Sequence, residues 1–131
     1  MKILGFNFTK IGIEKLKEVS SKVKVNTKID ITSINEVKEG ILKADFIYEV
    51  IYNPEIANIS LKGNIFLLIE DNELSKEIVK NWKDNKDKKI NSFKVSIFNL
   101  ILRKANIKAL DLEEQVGLMP HMPLPSFKAK D

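Results

Sequence analysis

The chain has no cysteine, which excludes disulfides, thiolate metal sites and cysteine nucleophiles. It has one histidine, His121, too few for the usual histidine metal sets. A Ser-His-Asp arrangement would have to be built on His121, and no strand–Ser–helix elbow precedes it. The five glycines, at positions 5, 12, 40, 63 and 117, are scattered and form no phosphate-cradling loop. Long hydrophobic runs are missing too. The longest, Ile65-Phe66-Leu67-Leu68-Ile69, falls far short of the roughly 20 residues that span a bilayer. The stretch from Met1 to Phe8 lacks an extended apolar region with a small-residue cleavage site. These absences predict a cytoplasmic protein with no membrane insertion, no catalytic residue, no metal and no cofactor. A binding protein, not an enzyme, is expected.

Arginine is nearly absent as well: of 22 basic residues only Arg103 is one, the rest being lysines. Sequence-specific readers of nucleic acid use the bidentate guanidinium fork, whereas lysine is a hydrated point charge. The net charge of +4 therefore permits weak attraction to phosphate, and specific nucleic-acid binding is not expected. What is present is ordinary for a folded chain. Hydrophobic residues make up 44% and charged residues 31% of 131 residues, enough for one core and one domain, 1–131.

The clearest periodicity runs from Lys22 to Thr32. Val23, Val25, Thr27, Ile29 and Ile31 share one parity, and lysine, asparagine and aspartate fill the other. Period two with β-branched residues on the apolar side predicts a half-buried strand. A polar turn is expected over 35–40. A second strand follows over 41–52, with Leu42, Ala44, Phe46, Tyr48, Val50 and Tyr52 on one face, closed by Asn53-Pro54-Glu55. A third is expected over 57–70, with Gly63 marking a bulge. Three strands joined by short turns make an antiparallel meander. Ile3 to Phe8 reads as extended, and Ile13 to Val19 fits either a short helix or a crossing segment.

Beyond Glu70 the period becomes helical. Asn72 is the expected N-cap, and Leu74, Ile78 and Trp82 recur every four residues. The stretch 83–89 has no apolar residue, and 80–89 carries five lysines against Asp84 and Asp87; it reads as a solvated loop or a non-specific anion patch. A second helix is expected over about 92–107. Its apolar positions, from Phe93 to Ala105, wrap too much of its surface for one sheet to cover. Acidic residues at 70–73 suit a helix N-terminus; a second group comprises Asp111, Glu113 and Glu114. Three prolines within 120–125 force extended backbone on a tail dotted with Leu118, Met119, Met122, Leu124 and Phe127. The expected division is sheet over 1–70, helices over 71–110 and a Pro-rich tail over 111–131. His121 reads as a packed or solvated residue.

This order of elements (an extended segment of the type Phe6-Asn7-Phe8-Thr9-Lys10-Ile11, three meandering strands, a long helix from Phe93 to Ala105, and a stretch ending Leu124-Pro125-Ser126-Phe127) resembles the SecB family of export chaperones, including the SecB-like chaperones linked to toxin–antitoxin systems. The resemblance implies an α+β fold: a four-stranded antiparallel sheet with C-terminal helices packed on one face. It implies a homo-oligomer, a dimer or a tetramer, with Phe93, Ile97, Phe98 and Ile101 at the helix interface. It also implies binding of unfolded polypeptides in apolar grooves without ATP, through Ile11 and Ile13 after the first strand and Leu118, Met119, Met122 and Leu124 after the helix. Tyr48 and Tyr52, aligned on one strand face, join that set as aromatic surface. Acidic surface for the SecA motor is not matched here, because this chain is basic. A lysine-rich nucleic-acid- or ribosome-associated protein is the second reading, separable by its salt dependence. A carrier with an enclosed apolar pocket beneath the sheet is the third.

Overall fold

The computed structural model describes residues 1–19, 22–83, 86–127 and 129. Four strands, β1 (Lys2–Lys15), β2 (Lys24–Lys38), β3 (Ile41–Asn53) and β4 (Ala57–Leu68), precede two helices, α1 (Asn72–Lys80) and α2 (Lys88–Val116). The strands form one antiparallel sheet in the order β1-β4-β3-β2. The meander is therefore β2-β3-β4. Strand β1 is laid on the far edge, against β4, so the chain between Lys15 and Lys24 crosses three inter-strand spacings, about 14 Å. Of the two readings for Ile13 to Val19, the crossing segment holds: Ile13, Glu14 and Lys15 end β1, and Leu16 to Val19 have no helix. Ser20 and Ser21 lie outside the described residues, as do Asp84 and Asn85 of the lysine-rich stretch and Lys128, Lys130 and Asp131 of the tail.

Alternation builds the core. Leu42, Ala44, Phe46, Tyr48, Val50 and Tyr52 of β3 are all buried, as are Ala57, Ile59, Leu61, Ile65 and Leu67 of β4. In β2 the apolar parity runs through Ile29 and Ile31 and then shifts to Ile34. One extra residue, Thr32, separates the pairs Ile31–Phe46 and Ser33–Asp45, and such a bulge moves later side chains to the opposite parity. Because Asn35 to Lys38 continue the strand, the turn is only Glu39-Gly40, with Gly40 at φ 78°. Strand β3 ends at a cis Asn53–Pro54 bond.

Gly63 lies opposite a bulge, not in one: the extra residue is Thr9 of β1, between the pairs Phe8–Gly63 and Lys10–Lys62. A Cβ on Gly63 would stand 2.2 Å from the carbonyl oxygen of Asn7 and 2.6 Å from the Phe46 ring. Hydrogen there lets β1 close against β4 while Phe6, Phe8 and Phe46 cluster above it, their centroids 5.1–6.2 Å apart.

Both helices start on aspartate. Asp71, not Asn72, caps α1, its carboxylate accepting from the amides of Glu73 and Leu74, while Asn72 donates to Glu39. Asp87 caps α2 in the same way through Lys89 and Ile90. Helix α2 begins four residues earlier than expected and runs nine further, to Val116, so the extended tail starts at 117 rather than 111. Its buried stripe, Ile90, Ile97, Ile101, Ala105 and Ala109, faces the sheet, and the two alanines keep the helix close where Tyr48 and Tyr52 lie beneath. This overturns the interface expected at Ile97 and Ile101: both are fully buried in the protomer's own core. Phe93 and Phe98 are half-buried, Phe93 meeting Trp82 edge-on at 6.2 Å. The apolar positions of α2 left exposed are Val95 and Ile107.

Gly63→Ala is expected to destabilise the protein by about 2–4 kcal/mol in urea unfolding, because backbone and a buried ring must move. Gly12→Ala, whose Cβ would meet nothing nearer than 3.8 Å, is expected to change stability little.

Candidate functional site

The period-four stripe of α2 continues from Ala105 and Ala109 to position 113, where the residue is glutamate. Its side chain is 1% exposed. A carboxylate so placed needs donors, since burial without them is costly. At Gly117, φ 71°, the helix ends in a Schellman turn: the amide of Gly117 bonds the carbonyl of Glu114, and that of Leu118 the carbonyl of Glu113. The chain thereby doubles back, and His121 meets Glu113. The backbone N–H of His121 donates to both carboxylate oxygens at 3.1 Å, and Nδ1 lies 2.5 and 3.0 Å from them. A carboxylate only accepts, so Nδ1 carries the proton.

On the other side of the ring, Nε2 lies 2.9 Å from Tyr48 Oη and 3.1 Å from Asn106 Oδ1. The one hydroxyl proton of Tyr48 is directed to Asn106 Oδ1 at 2.6 Å. Tyr52 Oη donates to the carbonyl of Met119 at 2.7 Å. Two tyrosines from the middle strand thus reach through the core to hold the first five residues of the tail. Burial, and next the negative charge of Glu113, raise both hydroxyls far above the ordinary tyrosine value of 10.0. They remain donors wherever the fold persists. Among the described residues no buried side-chain nitrogen or oxygen lacks a partner.

The same end of the sheet receives the crossing segment. Lys15 Nζ donates to the carbonyl of Val116 at 3.1 Å, where a cation complements the helix C-terminus, and pairs with Glu18. The amides of Leu16 and Lys17 bond the carbonyl of Ile56. The crossing segment and the tail are therefore anchored side by side. Their large apolar side chains remain in solvent: Leu16 and Val19 on one, Met119, Met122 and Leu124 on the other. Leu110, Glu113, Leu118, Pro120 and Leu124 also line an open cavity of about 440 Å³ between α2 and the tail.

Among the expected contact residues, Ile11, Met119, Met122 and Leu124 are exposed and Ile13 is half-buried. Tyr48 and Tyr52 are fully buried, and Leu118 is 6% exposed. These three are corrected from surface to support: the tyrosines anchor the tail from below, and Leu118 closes the helix end. Leu16 and Val19 were not expected, nor was the cluster of Glu113, Asn106 and His121. The signal for Glu113 was an acidic residue falling on the helix's own apolar period.

His121→Ala would leave the buried Glu113 carboxylate without its ring partner and is expected to destabilise the fold by about 3 kcal/mol. Faster amide exchange over 118–122 would localise the effect. Tyr48 and Tyr52 are the chain's two tyrosines. Their raised folded-state values mean that stability is complete below pH 10 and falls as pH rises above it, because only the unfolded chain then releases the two protons. Phenolate absorbance is accordingly expected to appear in one step with unfolding, not near pH 10; a separate rise in the folded protein would refute the placement.

The chain matches no protein-family model and no curated protein. Its fold is similar to that of a Mycobacterium tuberculosis SecB-like chaperone solved in complex with a ChAD peptide from the HigA1 antitoxin: the TM-score is 0.68 over 99% of this chain and 92% of that one, at 6% sequence identity. At that identity the likeness is one of fold, and the fold is SecB-like.

Proposed function

We propose that this protein is an ATP-independent chaperone that holds non-native polypeptides against the apolar row formed by the crossing segment and the pinned tail. The observation that carries the reading is that row itself. Leu16, Val19, Met119, Met122 and Leu124 stand exposed, on or beside backbone tied down at Leu16 by Ile56, at Met119 by Tyr52 and at His121 by Glu113. Exposed apolar side chains on a rigid support bind apolar side chains of a client at roughly 25 cal/mol per Å² buried. Methionine adapts to many shapes, so the site selects for hydrophobicity over sequence. Fold-level likeness to a chaperone bound to a peptide supports the same reading. No step in it is chemical. Self-association into a dimer or tetramer, through Val95, Phe98 and Ile107 of α2, would multiply sites along one long client.

The test is suppression of aggregation of an unfolded test protein by the full chain. Suppression is expected, and raising ionic strength should weaken it little, because the contacts are apolar. Met119→Glu with Met122→Glu, both at exposed positions, should leave the far-UV spectrum unchanged and remove most of the suppression. Full suppression by that variant would overturn the reading.

A further inference from the structure

A second concave surface lies at the β2 edge of the sheet, opposite the edge occupied by β1. The bulged part of β2, from Asp30 to Ile34, forms one wall of an open cleft of about 710 Å³, and Lys80, Trp82, Lys83 and Lys94 form the other. Trp82 lies edge-on to Phe93 at 6.2 Å, with Lys94 Nζ 5.0 Å from its ring centroid. Three lysines thus face one carboxylate, Asp30. The wall they face is the edge strand of the sheet, on which every second residue points its N–H and C=O away from β3. Two features limit where another chain can lie along that edge. The Thr32 bulge breaks the straight run, and beyond it α1 sits against β2, with Ser75 donating to Glu36 at 2.7 Å. The accessible length is therefore Lys24 to Ile31, ending at the lysines.

We propose that this cleft binds an extended acidic segment of a protein partner. The segment adds to β2 along Lys24–Ile31, and the carboxylates at its end meet Lys80, Lys83 and Lys94 beside Trp82. Strand addition supplies affinity through backbone bonds, and the lysine cluster supplies the choice of partner. A peptide suits the cleft better than a nucleic acid does. The free groups of an edge strand match a peptide backbone, and Trp82 already meets Phe93 edge-on and carries Lys94 over its ring, which makes it a poor platform for stacked bases. None of the residues of the apolar row lines this cleft.

Trp82 is the chain's one tryptophan, so its emission reports on the cleft directly. The full-length protein is titrated with a ten-residue peptide of alternating glutamate and valine, with its lysine–valine counterpart, and with a single-stranded RNA oligonucleotide. A saturable change in emission is expected with the acidic peptide, weakening as salt is raised, and none with the lysine peptide. Lys80→Glu with Lys83→Glu, at exposed positions, should weaken the acidic peptide by roughly tenfold or more and admit the lysine peptide, a shift readily measured as a change in Kd; circular dichroism checks the fold. Met119→Glu with Met122→Glu should leave the titration unchanged, separating this site from the apolar row. The proposal is overturned if the acidic peptide gives no saturable change, if both peptides bind equally, if charge reversal has no effect, if the Met119 and Met122 substitutions abolish the signal, or if the RNA binds more tightly than the peptide.

Discussion

A carboxylate buried at the end of a helix sits among outward-pointing carbonyls, the worst electrostatic company it can have, and Glu113 is in that position. It is stabilised by donors from a residue eight positions later, the backbone and ring of His121. That requirement dictates the path of the tail. Gly117 must turn left-handed so that the chain reverses, Leu118 must close the helix end, and His121 must come to rest over Tyr48 and Asn106. Once it does, Met119 is held at Tyr52, and the proline-rich segment leaves with its apolar side chains outward. The apolar row is thus a by-product of satisfying one buried charge.

The sheet beneath provides the rigidity this needs. Tyr48 and Tyr52 each use the ring to fill the core and the hydroxyl to reach through it, to Asn106 and His121 and to Met119. Toward the middle of the sheet, Gly63 lets three phenylalanine rings occupy the space above β1 and β4. The two regions are therefore built on different solutions, one a polar network and the other a half-buried aromatic cluster. The polar region carries Leu16, Met119, Met122 and Leu124 in solvent.

Much of this was legible beforehand, for identifiable reasons. The three meander strands followed from strict alternation, and the helical region from period four, since each pattern has one way to bury its apolar side. The helix starts differ from expectation where capping chemistry decides: Asp71 and Asp87 each accept two amide protons on one carboxylate oxygen, while Asn72 turns its side chain to Glu39. Strand β2 runs on through most of the turn expected over 35–40 because the Thr32 bulge changes parity, and a parity change has the same signature as the end of a strand. Tyr48 and Tyr52 looked like surface because alternation identifies a shared face without saying what covers it. The excess apolar breadth of α2 was real, but most of it faces the protomer's own sheet, and only Val95 and Ile107 stay exposed.

By itself, the order of residues determined the strand and helix content, the buried face of β3, the lack of thiol and multi-histidine chemistry, and the extended character of the tail. These are local properties, set by side-chain period and by what proline and cysteine can or cannot do. The partnership of Glu113, His121, Tyr48 and Asn106, the placement of the crossing segment beside the tail, and the gathering of lysines around Trp82 at the sheet edge were decided only by the tertiary structure. Each joins groups distant along the chain or otherwise non-periodic, and no local pattern encodes which of them the packing will bring within hydrogen-bonding reach.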